Sequence, residues 1–269
     1  MAPRLKAVLF DFDDTLIDWS GVSQDWREVE AGRLEGVLRF LDQELSPSGI
    51  VLQQLVERYT QRTREAWMIA RANLRAPKMP DILQETLTEL GITEAESFAE
   101  EILRAYDWQV VPGTVVFPDV IPVLEELRSR RIRLGVVTNS SQPMSLRDCE
   151  LRAHGLLPYF PDCRLAAADV GYLKPHPRIF HCALERIGAA PEEAVFIGDN
   201  PIADVNGALG VGMRAVQRLR ADDIGLSGGH PQLAADGASA DYGHPRLSSF
   251  DALPALLDEW FPGWHDGSA

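Results

Sequence analysis

Apolar residues run without a break from Ala7 to Phe10 and end in acid, in the stretch Val8-Leu9-Phe10-Asp11-Phe12-Asp13-Asp14-Thr15-Leu16. A short apolar run with no polar alternation is the pattern of a strand buried on both faces, so the carboxylates fall at its carboxyl end. In open α/β sheets ligands bind in the crevice beyond those ends. Alternate side chains of an extended segment share a face, which predicts that Asp11 and Asp13 converge on one point. Converging carboxylates repel and call for a cation or a shared proton. A strand followed by an Asx-type turn is the plainer alternative for the same residues.

After Leu16 the period changes. Apolar residues at three- and four-residue spacing predict helices over 24–45, 49–72, 81–90 and 94–106, interrupted at Ser46-Pro47-Ser48-Gly49, at Ala76-Pro77 and at Gly91. Four helices between one buried strand and the next predict a helical domain over 18–112, inserted into an α/β core made of 1–17 and 113–269.

The α/β rhythm then resumes. A helix is predicted over 119–130, then a strand over 133–137 that ends in Thr138-Asn139-Ser140-Ser141. A helix over 146–154 stops at Gly155. A shorter strand over 165–168 leads into Asp169-Val170-Gly171-Tyr172-Leu173-Lys174-Pro175, and a helix follows over 178–187. The buried run 194–197 ends in Gly198-Asp199-Asn200-Pro201, with Pro201 opening a helix that carries Asp204 and ends near Leu209-Gly210. A strand over 215–218 is next. Periodicity fails over 219–239, which reads as a loop or insertion, before a short strand over 240–242 and a closing helix over 253–260. The fold class is α/β, a doubly wound parallel sheet with an inserted helical domain. Three strands thus end in Asp11/Asp13, Thr138/Asn139 and Gly198-Asp199, and in a parallel sheet those tips share one edge.

Composition narrows the partners. A net charge of −14 over 269 residues excludes nucleic acid and anionic membrane surfaces as expected partners, and an anionic substrate needs a local cation. Of the 26 basic residues only Lys6, Lys78 and Lys174 are lysines, so Lys174 points to a need for a compact ammonium. Cys149, Cys163 and Cys182 lack metal-site or disulfide spacing, and no stretch reads as a signal peptide or bilayer span. A reducing cytoplasm is the expected location. Arg58, Arg62, Arg64, Arg71, Arg75 and Lys78 make the second helix and the turn after it basic. Either this is a solvated face, or Arg71, Arg75 or Lys78 reaches the site and holds a second anionic group. Trp19 and Trp26 are expected to pack near the hinge. Trp260, Phe261 and Trp264 either close the core or form a contact between chains, and the oligomeric state stays open.

Taken in order, these features resemble the haloacid dehalogenase-like hydrolase superfamily. Asp11-x-Asp13-x-Thr15 is similar to its first motif, Thr138 to its second, Lys174 to its third, and Gly198-Asp199-x-x-x-x-Asp204 to its fourth. The helical insertion is similar to its C1-type cap. The resemblance implies a Mg2+-dependent phosphatase acting on a small phosphorylated metabolite. Asp11 would be the nucleophile that forms an aspartyl-phosphate. Asp13 would protonate the leaving oxygen and later deprotonate water, a role suited to a carboxyl whose pKa is raised by crowding. Mg2+ would bind Asp11, the Asp13 carbonyl and Asp199. Thr138 and Asn139 would donate to phosphoryl oxygens, and Lys174 would neutralise their charge. Asp204 would orient Lys174 or a metal-bound water, or serve only the helix dipole. The alternatives are a 2-haloacid dehalogenase, for which Asp13 and a metal are superfluous, a phosphomutase, and a non-catalytic interaction protein on this scaffold. Asp14 departs from the pattern, because many members of the superfamily have Gly there.

Overall fold

A computed structural model describes residues 4–44, 49–219 and 243–264. Its first strand, β1 (Ala7–Phe10), is fully buried and central. On one side it pairs with β4 (Arg133–Thr138), which pairs with β5 (Cys163–Ala166). On the other it pairs with β6 (Ala194–Gly198), followed by β7 (Arg214–Arg218) and β8 (Arg246–Leu247). The order is β5-β4-β1-β6-β7-β8 and every pairing is parallel. Val8 and Phe10 enter one apolar cluster, with Leu124, Leu134 and Phe250. Ala7 and Leu9 enter the cluster on the other face, with Phe180, Ala183 and Phe196. That two-sided burial is why the strand carries no polar alternation.

Helices cover both faces: α5 (Val120–Ser129), α6 (Met144–Ala153), α8 (Pro177–Ile187) and the closing α10 (Leu253–Trp260), with single turns α7 (Ala167–Val170) and α9 (Gly207–Gly210) between them. Phe261 and Trp264 are buried in the first cluster, so the terminal aromatic residues close the core.

Between β1 and α5 lie α1 (Trp26–Glu44), α2 (Leu52–Asn73), α3 (Met79–Glu89) and α4 (Ala99–Tyr106). They bury Leu34, Val37, Leu55, Ile82, Leu83 and Ile102 in a core of their own. The two connections run side by side as a small antiparallel ribbon, β2 (Ile17–Asp18) with β3 (Val115–Val116). Beyond it Gly21 and Gly113 cross in backbone contact. A Cβ on Gly21 would meet the Gly113 carbonyl oxygen at 2.6 Å, and one on Gly113, where φ is +96°, would meet the Gly21 oxygen at 2.4 Å. The α2–α3 turn is tied to the sheet edge by Ala76 N–H to the Gly171 carbonyl at 3.2 Å and Met79 N–H to the Ser141 carbonyl at 2.8 Å.

Several elements differ from the sequence reading. The strand expected over 165–168 is β5, two residues earlier. Ala167 instead begins a helical turn, because the Ala168 N–H bonds the Ser140 carbonyl and leaves the sheet. The helix expected over 94–106 opens with a 3-10 segment, Thr93–Phe98, ahead of α4. Pro201–Asn206 is a π-helical turn, not a regular first turn. Strands of two residues, such as β2 and β3, are too short to leave a period in the sequence. Most of the expected break at 46–49, most of the predicted loop over 219–239 and the predicted strand over 240–242 lie outside the described residues. Among the described residues no helix is long and apolar enough to cross a membrane.

Candidate active site

Parallel register sets the site. Phe10 is level with Val136 on one side and Ile197 on the other, so Asp11, Thr138 and Asp199 emerge at one edge of the sheet. The Asp11 N–H still bonds the Ile197 carbonyl at 2.8 Å, which fixes its backbone. Beyond it the chain turns sharply, with Leu16 N–H to the Phe12 carbonyl at 2.9 Å and Asp14 N–H to the Ile17 carbonyl at 2.8 Å. Asp14 has φ +57°. That left-handed conformation suits glycine and, among other residues, short polar side chains such as Asp.

The turn ends the strand alternation, and Asp11 and Asp13 consequently acquire different partners. Asp11 faces Lys174, whose Nζ lies 2.7 Å from its Oδ1. The same ammonium is 2.7 Å from Asp204 Oδ1 and donates to the Val137 carbonyl at 3.0 Å. All three donors of the ammonium thus have an acceptor. Lys174 is 3% exposed, far from the surface position that lysine usually takes. Burial pushes the Asp11 carboxyl upward, opposed by Lys174 and reinforced by Asp204. Burial acts to lower the Lys174 ammonium, but Asp11 and Asp204 outweigh it and leave it raised.

Asp204 enters the site because Gly198 leaves room for it. A Cβ on Gly198 would lie 2.3 Å from the Asp204 carboxyl carbon. Its Oδ2 accepts from the Asn200 N–H at 3.0 Å, while Asn200 caps the following turn through Ile202 and Ala203. Asp11, Asp199 and Asp204 offer carboxylate oxygens within 4.8 Å of one another. Hard oxygen donors in such a group suit a divalent cation such as Mg2+.

Asp13 has its own set. Its Oδ2 accepts from Thr138 Oγ1 at 3.3 Å, and its Oδ1 accepts from Arg147 at 2.6 Å and from the Trp19 indole at 3.0 Å. The two acids thus take different hydrogen-bond partners, while the Asp13 charge still adds to the upward push on the Asp11 carboxyl.

Asn139 also differs from its expected use. Its Nδ2 donates to the Lys174 carbonyl at 3.0 Å and its Oδ1 accepts the Lys174 N–H at 2.7 Å, so the amide clamps the lysine backbone. Of the basic residues of the helical block, Arg58 and Arg62 pair with Glu89, and Arg62 also with Glu85, joining α2 to α3. Arg71, Arg75 and Lys78 are exposed. Arg75 lies over the Tyr172 ring at 4.5 Å, two residues before Lys174, and Lys78 precedes the Met79 that bonds Ser141. Arg147, Glu150 and Trp108 were not legible as site residues. The one local signal is the three-residue spacing of Arg147 and Glu150 on a helix, which marks an ion pair and says nothing of its target.

This fold and this edge of acids around a buried lysine define a hydrolase. The chain belongs to the haloacid dehalogenase-like hydrolase family, which its residues 5–212 match. It is 30% identical to the glyceraldehyde 3-phosphate phosphatase of Methanopyrus kandleri, over 80% of this chain and 84% of that protein. It is 30% identical to the phosphoserine phosphatase of Thermus thermophilus, over 81% and 92%. Among solved structures it is similar to a 2-haloacid dehalogenase from Pseudomonas syringae pv. Tomato DC3000, at 28% identity and TM-score 0.59, over 95% of this chain and 99% of that one.

Proposed function

We propose that this hydrolase is a Mg2+-dependent phosphatase that cleaves a small phosphorylated metabolite through an aspartyl-phosphate on Asp11. The observation that carries the reading is the separation of partners: Asp11 is paired with a buried ammonium, while Asp13, two residues on, is held beside Thr138. A nucleophile and a proton carrier need that difference.

In the first step an Asp11 oxygen attacks phosphorus, the bond to the leaving oxygen breaks, and Asp13 gives that oxygen a proton. In the second, Asp13 takes a proton from water as it attacks the same phosphorus, which frees Asp11 and phosphate. Lys174 neutralises charge on Asp11 and the phosphoryl oxygens. Thr138 donates at the same edge, and Asn139 holds Lys174 through its backbone. A divalent cation held by Asp11, Asp199 and the Asp13 carbonyl would offset the charge of the acids and of the phosphoryl group. Asp204 acts behind them, since its oxygens already serve Lys174 and Asn200.

Residues 18–112 are the cap on this reading, turning about the crossing of Gly21 and Gly113. Arg75 and Lys78, on the α2–α3 turn, would meet a second anionic group of the substrate, with Arg71 a turn further back. Such a lid limits substrate size and excludes water during chemistry. The relatives are named for small phosphorylated metabolites. The likeness to a 2-haloacid dehalogenase favours carbon–halogen cleavage as a second reading. Asp13 counts against it, because a halide leaves without a proton. The test is a hydrolysis screen of the purified chain over phosphorylated metabolites and 2-haloacids, with and without Mg2+. Metal-dependent phosphate release is expected; halide release without phosphate release would overturn the reading.

A further inference from the structure

Asp13 is held by groups for which the proposed chemistry has no use. Arg147, on α6, is 3% exposed, and its guanidinium lies 4.8 Å from the centre of the Phe12 ring. One terminal nitrogen donates to Asp13 Oδ1 at 2.6 Å, and the other lies 2.9 Å from Glu150 Oε2. Glu150, 2% exposed, also accepts from the Trp108 indole at 3.0 Å. The Trp108 carbonyl accepts from the Cys149 thiol, and its ring carries the Arg33 guanidinium at 3.8 Å. Trp19, the indole donor to Asp13 Oδ1, lies on the connection that leaves the sheet for the helical block. Trp108 lies on the connection that returns. Both crossings between the two parts of the molecule thus end on one chain of groups, the half-buried Asp13 and the buried Arg147 and Glu150.

Burying a guanidinium and a carboxylate costs more than an apolar pair of the same size, so packing alone does not account for them. A fixed direction does. A proton donor is effective only within hydrogen-bond reach of the oxygen it serves, and a misplacement of about 1 Å can cost on the order of a hundredfold in rate. A planar guanidinium braced by Glu150 and Phe12 sets the Asp13 carboxylate in one orientation.

We propose that Arg147 is the positioning residue for Asp13, and that Trp19 and Trp108 make its hold depend on how the helical block sits against the sheet. This rests on the assignment of Asp13 as proton donor and base.

The test uses the full chain with Mg2+ and two probes, p-nitrophenyl phosphate and glycerol phosphate. Arg147→Lys keeps the charge. Arg147→Met with Glu150→Met removes the buried pair together, so neither charge is left alone. On glycerol phosphate the paired variant is expected to lose about 10- to 100-fold in kcat with KM within about twofold, and Arg147→Lys to lose less. The first-turnover burst of p-nitrophenol, which needs no proton donor, should change little. In an Asp13→Asn background the Arg147 substitutions should add nothing, because they act through Asp13. Trp19→Phe and Trp108→Phe should reproduce the pattern at several-fold size. Arg164→Lys, at a pair with Asp148 on the same helix, should leave both probes unchanged. A p-nitrophenol burst slowed as much as glycerol phosphate turnover, full losses in the Asp13→Asn background, or no loss at all would overturn the positioning role. If Asp13→Asn itself keeps wild-type turnover of glycerol phosphate, the assignment of Asp13 fails instead, and the inference with it.

Discussion

The ammonium of Lys174 and the carboxylate of Asp204 meet at 2.7 Å with both side chains 1% exposed. One comes from the loop before α8 and the other from the π-helical turn after β6, so the pair ties two loops beneath Asp11. Removing one member of a buried pair leaves an uncompensated charge, at a cost of about 3–5 kcal/mol. Lys174→Met is therefore expected to lower the denaturation midpoint and to abolish turnover. Lys174→Arg should not restore turnover, because a planar guanidinium cannot reach Asp11, Asp204 and the Val137 carbonyl from one nitrogen. Gly198→Ala should act on the same pair from behind by displacing Asp204, at a cost of about 1–3 kcal/mol. Denaturant melts and steady-state rates on the three variants check these outcomes.

Asp11→Asn and Asp13→Asn should fail differently. Asn at 11 removes the attacking carboxylate, and no phosphoenzyme should form with any substrate. Asn at 13 removes the proton donor and base but leaves Asp11 and Lys174 in place. A burst of p-nitrophenol followed by very slow turnover is expected, and stopped-flow measurement reads it. The burst arising from Asp11→Asn instead would exchange the two roles.

Chelation should abolish hydrolysis, and Ca2+ should substitute poorly because its larger shell lets the nucleophilic carboxylate bind through both oxygens and lose its aim. Burial pushes the Asp11 carboxyl from 3.8 up to about 7, against the pull of Lys174. Protonated Asp11 cannot attack, so the rate should fall as pH drops through that value. A cation near the carboxylate favours its charged form, and saturating Mg2+ should move the acid limb to lower pH than sub-saturating Mg2+. A limb that ignores Mg2+ concentration would remove Asp11 from the metal set.

Gly113→Ala meets two obstacles, φ of +96° and a Cβ placed 2.4 Å from the Gly21 oxygen. The two connections would have to part. A loss of more than about 1 kcal/mol is expected, with faster proteolytic cleavage over 18–25 and 107–114. First cleavage within β4 would count against residues 18–112 behaving as a separate lid.

Arg75→Ala and Lys78→Ala should raise KM for a substrate with a second anionic group by about 5- to 50-fold and leave kcat and p-nitrophenyl phosphate unchanged, the pattern of lost uniform binding. Losing the Arg75 contact with Tyr172 should weaken docking of the turn, read as increased cleavage near Pro77.

By itself the sequence determined the sheet, the order of its acidic strand tips and the helices between them. Each is carried by a local pattern: the apolar run of β1, the three- and four-residue spacing of α1 to α4, the polar ends of β4 and β6. A parallel register then brings Asp11, Thr138 and Asp199 to one edge without further information. What it left open is which partner each side chain takes. Asp13 meets Arg147 across 134 positions and Thr138 across 125. Neither contact has a period or a spacing. They exist because α6 packs beside β5 and lays the Arg147 guanidinium over the Phe12 ring, next to the turn that carries Asp13. Asn139 likewise looks like a donor to substrate until the loop carrying Lys174 folds back over it and takes up both ends of its amide. Local pattern places a backbone; the direction of a polar side chain is decided by whatever donor or acceptor the rest of the molecule buries beside it.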